Sequence, residues 1–336
     1  MDEKIRKKKI TITEIAKLAN VSPATVSRVF NPGKAPVAQK TAEKVQAVMK
    51  DLGMSLNVPD VSPSKSRPVL LLNTPDNNPF YAEVIQGVLS SVNSHRCHLL
   101  MTQSPLDHGS VDDFIALIER VKAAGVIILN QVKEDVLYQI ESKIPVIQCC
   151  EFNPLAPDIP FVSIRDAVAA SEATKYLLSR GHNKIAFING PSIYKYARER
   201  KKGFQDAMES AGLSVPKQWI VNLPEINYEM AYSAICQILN MTEQPNAFFT
   251  ASDLLAAAVL KAAHSYHLQI PQDIMVIGFD NTQFSTTCTP SITSVKQPMF
   301  QEGFTASEML LQRIQSPEAH VNSIYLETEL IVRETT

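Results

Sequence analysis

The sequence predicts an α/β protein with a small helical head. Three observations predict it: residues 10–31 write two short helices across a tight turn, an excess of basic charge is confined to the first fifty residues, and beyond residue 68 short β-branched runs alternate with amphipathic helical stretches. The alternation is the pattern of a doubly wound parallel sheet. In the head, Thr11 followed three residues later by Glu14 forms a capping box that fixes where the first helix starts. Ile12, Ile15, Ala16 and Ala19 then recur at three- and four-residue spacing and give one apolar stripe. Asn20-Val21-Ser22 breaks the run, and Ser22 with Pro23 supplies an N-cap and a first-turn proline for a second helix. Val26 and Val29 turn inward against Ala16, whose small side chain lets two helices approach closely. The opposite face carries Pro23, Ala24, Thr25, Ser27 and Arg28, and a face of this kind at the start of a second helix is what enters a major groove.

Helical pairs of this shape also occur without nucleic acid, and charge favours DNA. Residues 1–50 hold eleven Lys or Arg against four acids, a net of +7, whereas the whole chain is −2 and the remainder therefore −9. A basic head on an acidic body is the footprint of one module that meets phosphates and another that does something else. A third helix is expected from about Ala38 to Leu52, with Val45, Val48 and Leu52 turned inward.

The chain has 336 residues, 45% hydrophobic and 20% charged, ample for two or three units with real cores. It contains no apolar run long enough to cross a membrane and no secretory signal, so a cytoplasmic protein without membrane partners is expected. Cys97, Cys149, Cys150, Cys236 and Cys288 form no Cys-x-x-Cys pair and read as reduced thiols rather than disulfides or metal ligands. Strands are expected at 69–72, 98–101, 126–129, 146–149, 185–188, 247–250 and 275–279, and helices near 80–94, 110–124, 166–180, 198–211, 228–240 and 253–267. No nucleotide-binding glycine motif, metalloprotease His-Glu-x-x-His or nucleophile elbow is present, so neither enzyme activity, metal, cofactor nor catalytic residue is expected. His182 reads as a capping or packing residue rather than a proton carrier.

The Thr-x-x-acid start, the Ala-x-x-Ala-x-Val-Ser turn and Thr25-Val26-Ser27-Arg28-Val29 resemble the headpiece of the LacI/GalR family of bacterial repressors. Asn78-Pro79-Phe80-Tyr81, Gly181-His182 before a strand, and Ile277-Gly278-Phe279-Asp280-Asn281 extend the resemblance along the chain. It implies DNA contacts by Thr11, Thr13, Ser22, Pro23, Ala24, Thr25, Ser27, Arg28 and Asn31. The loop Pro32–Pro36 is one residue longer than in the family, which bears on the pose of the third helix. The implied fold is a headpiece over residues 1–54, a Pro/Ser-rich linker over 55–68, and an effector-binding and dimerisation core over 69–336. That core comprises two Rossmann-like subdomains of periplasmic-binding-protein type, about 69–163 with 293–324, and 164–292 with 325–336.

Ligands in open α/β sheets lie beyond the carboxyl ends of strands. Asp280 ends one expected strand and Asp253 follows another, the latter reading equally well as a helix cap. The resemblance implies that Arg200 and Asp280 contact the effector. Phe80 and Tyr81 could stack on it, with core packing the alternative for one of them, and Glu151, Tyr194 and Tyr196 stand at positions that line the ligand in relatives. Cys150-Glu151-Phe152 and Cys288-Thr289-Pro290 are similar to the cytidine-responsive branch. The expected protein is thus a homodimeric repressor whose operator binding responds to a nucleoside, with a neighbouring DNA-bound regulator as a further partner. A sugar-responsive repressor, or a solute-binding protein without DNA function, are the alternatives.

Two predictions follow from the head and linker. Arg28→Ala costs roughly 1–3 kcal/mol per half-site contact and relaxes base choice, whereas Lys8→Ala chiefly lowers the salt slope; isotherms on base-substituted operators at several salt concentrations test both, and equal loss on every sequence would make Arg28 a phosphate contact. Pro59, Pro63 and Pro68 replace the family's Ala-Arg-x-Leu hinge segment and deny a helix its N–H donors. A flexible Ser55–Arg67 has a reach of ~20 Å, so operators with half-sites moved apart base pair by base pair are bound with similar affinity; one sharply preferred spacing would show an ordered hinge.

Overall fold

The computed structural model describes residues 12–23, 25–26, 37–51, 67–75 and 78–336. The chain separates into two compact units, residues 1–66 and 67–336.

In the first unit, α1 (Ile12–Leu18) ends where Asn20 takes a positive φ of 52°, a conformation Asn tolerates better than most residues. The Ser22 hydroxyl accepts a hydrogen bond from the Thr25 N–H at 3.1 Å, and the Val26 N–H reaches the Ser22 carbonyl at 3.1 Å, so Ser22 is the N-cap of the next helical turn. Helix α2 (Gln39–Asp51) completes a small core in which Ile15, Ala16, Ala19, Val26 and Val45 are buried and Val48 packs against them. Of the residues expected to contact DNA, Thr11, Ala24, Ser27, Arg28 and Asn31 lie outside the described residues, as do Val29, Leu52 and linker residues 55–66. Ser22 and Pro23 are exposed and Thr25 is half-buried, while Thr13 falls within α1.

The second unit contains two six-stranded sheets. The first comprises β1 (Val69–Asn73), β2 (His98–Thr102), β3 (Ala123–Ile128), β4 (Val146–Cys149), β5 (Phe161–Ile164) and β11 (Ile324–Leu326), all parallel, in the order β11-β5-β4-β3-β1-β2. The second comprises β6 (Ile185–Asn189), β7 (Ile220–Asn222), β8 (Ala247–Thr250), β9 (Met275–Asp280), β10 (Thr293–Lys296) and β12 (Glu329–Ile331), in the order β12-β10-β9-β8-β6-β7. There only β12 runs antiparallel. Every residue of β4, β6, β8 and β9 is buried, as expected of parallel strands covered by helices on both faces.

The helices are α3 (Phe80–Ser94), α4 (Val111–Val121), α5 (Glu134–Glu141), α6 (Asp166–Ser179), α7 (Lys195–Ser210), α8 (Tyr228–Leu239), α9 (Asp253–Ser265), α10 (Gln283–Thr287) and α11 (Met299–Gln315). Two helix pairs pack almost backbone to backbone. A Cβ at Gly87 of α3 would collide with the Phe300 carbonyl of α11, and one at Gly203 of α7 would collide with the Ala167 carbonyl of α6. Glycine is therefore required at both crossings.

The chain passes between the sheets three times, after Ile164, after Lys296 and after Leu326. The sequence boundaries near 163, 292 and 324 need correction at the last two. β10 pairs with β9 in register from Thr293↔Ile277 to Lys296↔Asp280, so residues 293–296 belong with the second sheet. Leu326 still pairs with Ile164 in the first. Strands β5, β7, β10, β11 and β12 and helices α5, α10 and α11 are additions to the sequence reading. Of these, the edge strands β7, β11 and β12 have only three residues, too few to show periodicity, and the buried stripe of α11 is interrupted by Glu302, Gly303 and Ser307. All five cysteines are free thiols.

Candidate functional site

The carboxyl ends of both sheets face one another across a cleft, and the chain is strained there. Cys150, just beyond β4, has φ 65°; Asp280, ending β9, has φ 96°, and Asn281 has φ 56°. Such backbone costs of order 1–3 kcal/mol per residue and concentrates at functional sites.

The inner cavity is bounded by Phe80 and Tyr81 from α3, Cys150 and Glu151 beyond β4, Asp166 at the start of α6, Tyr196 and Arg200 on α7, Asp280 at the end of β9 and Gln297 beyond β10. It holds about 420 Å³ of space, part of it continuous with solvent. Phe80 and Tyr81 meet edge to face with centroids 5.1 Å apart, and both belong to the core cluster as well as to the cavity wall. Both residues therefore combine core packing with a place on the cavity wall.

The polar side of the cavity is a continuous charge network. Asp166 accepts from Arg200 Nε at 2.8 Å and from Lys195 Nζ at 2.7 Å; Lys195 Nζ also reaches the Ser163 hydroxyl at 3.1 Å. Arg200 Nη1 donates to the Ala251 carbonyl at 2.7 Å and stands 3.4 Å from Asp280 Oδ1, with the guanidinium 3.5 Å above the Phe279 ring centroid. Gln297 Nε2 donates to the same Asp280 oxygen at 2.6 Å. Burial works to raise the Asp166 carboxyl, but Lys195 and Arg200 together hold it below the usual carboxylate range. At Asp280 burial outweighs Arg200 and Gln297, and the carboxyl is raised.

Glu151 spans the cleft. Its two oxygens accept from the Lys195 N–H at 2.6 Å and the Tyr196 N–H at 3.0 Å, the first free amides of α7. Burial pushes its carboxyl up to about 7, against the pull of Lys195 and those amides.

Asp253 stands apart from this cavity. It neither caps its helix by side chain nor lines the cavity: Ser252 Oγ accepts from the Leu255 N–H, while the Asp253 carboxylate accepts from the Thr282 N–H at 2.6 Å, the Thr282 hydroxyl at 3.0 Å and the Ser294 hydroxyl at 2.5 Å. Both sequence readings of Asp253 give way to a third, in which it fastens the turn after β9 to β10. Burial, reinforced by Asp280, pushes it up to about 7. Tyr194 stacks on Tyr196 with centroids 5.7 Å apart and lines a wider outer part of the cleft with Asn78, Gln103 and Glu225. His182 Nδ1 lies 2.9 Å from the Asn246 carbonyl, a packing role as expected.

Asp166, Lys195, Ser163 and Gln297 escaped the sequence reading. Lys195 and Asp166 look like ordinary charges at helix starts, and only the fold shows that both are buried. No described helix is long and apolar enough to cross a membrane, and no described cluster of His, Cys, Asp and Glu could hold a metal.

Helix-turn-helix elements ahead of a two-sheet receptor cavity define a ligand-responsive DNA-binding regulator. Residues 11–57 match the model for bacterial regulatory proteins of the lacI family, and residues 174–336 match the periplasmic binding protein-like domain. The chain is 30% identical over 332 residues to the HTH-type transcriptional repressor CytR of Escherichia coli strain K12, covering 97% of this chain and 96% of that protein. It is 28% identical over 327 residues to the ribose operon repressor of the same organism, covering 96% and 98%. Among solved structures, the transcriptional regulator CelR–cellobiose complex matches with a TM-score of 0.72 at 26% identity, over 98% of this chain and 100% of that one. The chain belongs to the LacI family of bacterial regulatory proteins.

The raised carboxyls make stability pH-dependent with a definite sign. Glu151 and Asp253, at about 7, and Glu302, at about 8, keep protons in the fold that the unfolded chain releases at ordinary carboxylate pH. The folded state binds more protons in between, so stability falls as pH rises through that window. Thermal midpoints of the full chain should decline from about pH 5 to about pH 8 and then level, and Glu302→Gln should flatten the upper part of the decline. A midpoint that climbs across this range would contradict the assignment.

Proposed function

We propose that the protein is a cytoplasmic, homodimeric repressor whose operator affinity is set by a nucleoside such as cytidine. The observation that carries the effector reading is the pairing of Arg200 and Asp280 in a cavity whose wall includes the rings of Phe80, Tyr81 and Tyr196, the last lying against the Arg200 guanidinium at 4.9 Å. A guanidinium and a carboxylate on one side suit the vicinal hydroxyls of a ribose, and aromatic rings suit the face of a base. The likeness of Cys150-Glu151-Phe152 to the cytidine-responsive branch supports the same choice. A sugar effector is the second reading, favoured by relatives named for the ribose operon and for a cellobiose complex.

Two heads on a two-fold dimer call for a pseudo-palindromic operator. The proline-interrupted linker, lacking the wedge that inserts into the minor groove in relatives, favours assistance from a second DNA-bound regulator.

A thermal-shift screen of nucleosides, bases and sugars identifies the effector, since ligand at 100 times its Kd adds about 2.7 kcal/mol. Asp280→Asn then abolishes the effector response while operator binding stays close to wild type, measured by calorimetry and by operator isotherms with and without ligand. Arg200→Ala is the poorer probe, because it strips the cation from two buried carboxylates and costs roughly 3–5 kcal/mol of stability. Unchanged ligand affinity in Asp280→Asn would place the site elsewhere.

A further inference from the structure

Asn73 ends β1, is 0% exposed, and has no freedom in which way its carboxamide points. Its Nδ2 donates to the Ser104 carbonyl at 2.9 Å and to the Thr102 hydroxyl at 3.0 Å. A main-chain carbonyl only accepts, so the atom facing Ser104 is the nitrogen and the amide oxygen points the other way. That oxygen accepts from Asn130 Nδ2 at 2.5 Å. Turning either amide over would set oxygen against oxygen inside the protein.

The consequence falls on Asn130, half-buried just beyond β3. The Leu129 N–H donates to the Asn73 carbonyl at 2.9 Å and fixes the backbone there, while the bond from Nδ2 fixes the amide. Asn130 Oδ1 is the end left over: no group among the described residues donates to it, and Asn130 borders the outer part of the cleft. That part holds about 1130 Å³ of space, some of it continuous with solvent. Asn78, Tyr81, Tyr196 and Ile226 border both the outer part and the inner cavity, so one ligand has room to occupy the two together. Arg200 and Asp280 stand at the inner end only, and Asn130 and Tyr194 at the outer end only. The two ends therefore meet different parts of the ligand.

We propose that Asn130 is a specificity residue of the effector site, its Oδ1 accepting a hydrogen bond from an amine at the end of the ligand remote from Arg200 and Asp280. The proposal rests on the nucleoside reading above and adds which part of the ligand is read and by what. With the ribose hydroxyls at the inner end and the base against the tyrosines of the outer end, a fixed acceptor selects a base that carries an exocyclic amine. Asn73 lines neither part of the cleft and acts through Asn130 as a positioning residue, deciding which end of that amide the ligand meets.

The test is calorimetry on the full chain with cytidine and with zebularine, the same nucleoside with hydrogen in place of the exocyclic amine, for wild type, Asn130→Leu and Asn130→Ser. Wild type should prefer cytidine by ~5-fold or more, the fold-change of one neutral hydrogen bond lost. Asn130→Leu keeps the approximate shape without the acceptor, and Asn130→Ser is one bond too short to place an oxygen at the same point. Each should bring the two affinities together, with thermal midpoints and ligand-free operator binding showing that the variant is folded. If one variant does not fold, the other carries the comparison. Equal affinities of wild type for cytidine and zebularine, or the full preference retained in a folded variant, overturn the proposal alone. Failure of wild type to bind cytidine at all removes the nucleoside reading, and the proposal with it.

Discussion

Asp166 is the point on which the cavity turns. One carboxylate, almost fully buried, neutralises two cations of α7 at once, Lys195 through one oxygen and Arg200 through the other. Buried charges persist only when paired and hydrogen-bonded. With Asp166 in place, Arg200 is held flat over Phe279 with its fork turned toward Asp280, and Lys195 is stretched to Ser163. Without it, two buried cations would lack their shared counterion, and the orientation of α7 against the first sheet would lose its anchor.

The same network joins the ligand cavity to the hinge. Ser163 lies in β5, at the first crossover, and Gln297 lies in the second; Lys195 grips one and Asp280 is gripped by the other. Glu151 reaches from the first sheet to the leading amides of α7. A ligand that competes for Arg200 or Asp280 therefore alters bonds that set how the two subdomains meet, which is the differential contact that a conformational response requires. The leading amides of α7, which would suit an anion, are already occupied by Glu151.

Strain and close packing surround this network. Left-handed backbone at Cys150 and Asp280 turns side chains into the cleft, and the glycine crossings of α3 with α11 and α6 with α7 bring helix backbones together beside the crossovers. Each crossing lies within one subdomain, α3 with α11 in the first and α6 with α7 in the second, so the glycines fix packing inside each half.

Much of this was legible in the residues alone. Ile15, Ala16, Ala19, Val26 and Val45 form the head core that their spacing implies, and Ser22 caps as its chemistry demands. The buried strands β1, β4, β6, β8 and β9 announce themselves as continuous apolar runs. These are local properties, set by period, capping and propensity. The pairing of β10 with β9, the recruitment of Asp253 to Thr282 and Ser294, and the burial of Lys195, Asp166 and Glu302 were decided by tertiary structure. A charged residue at a helix start reads the same whether water or another chain segment lies beside it, and only the fold brings residues 151, 166, 195, 280 and 302 to one place.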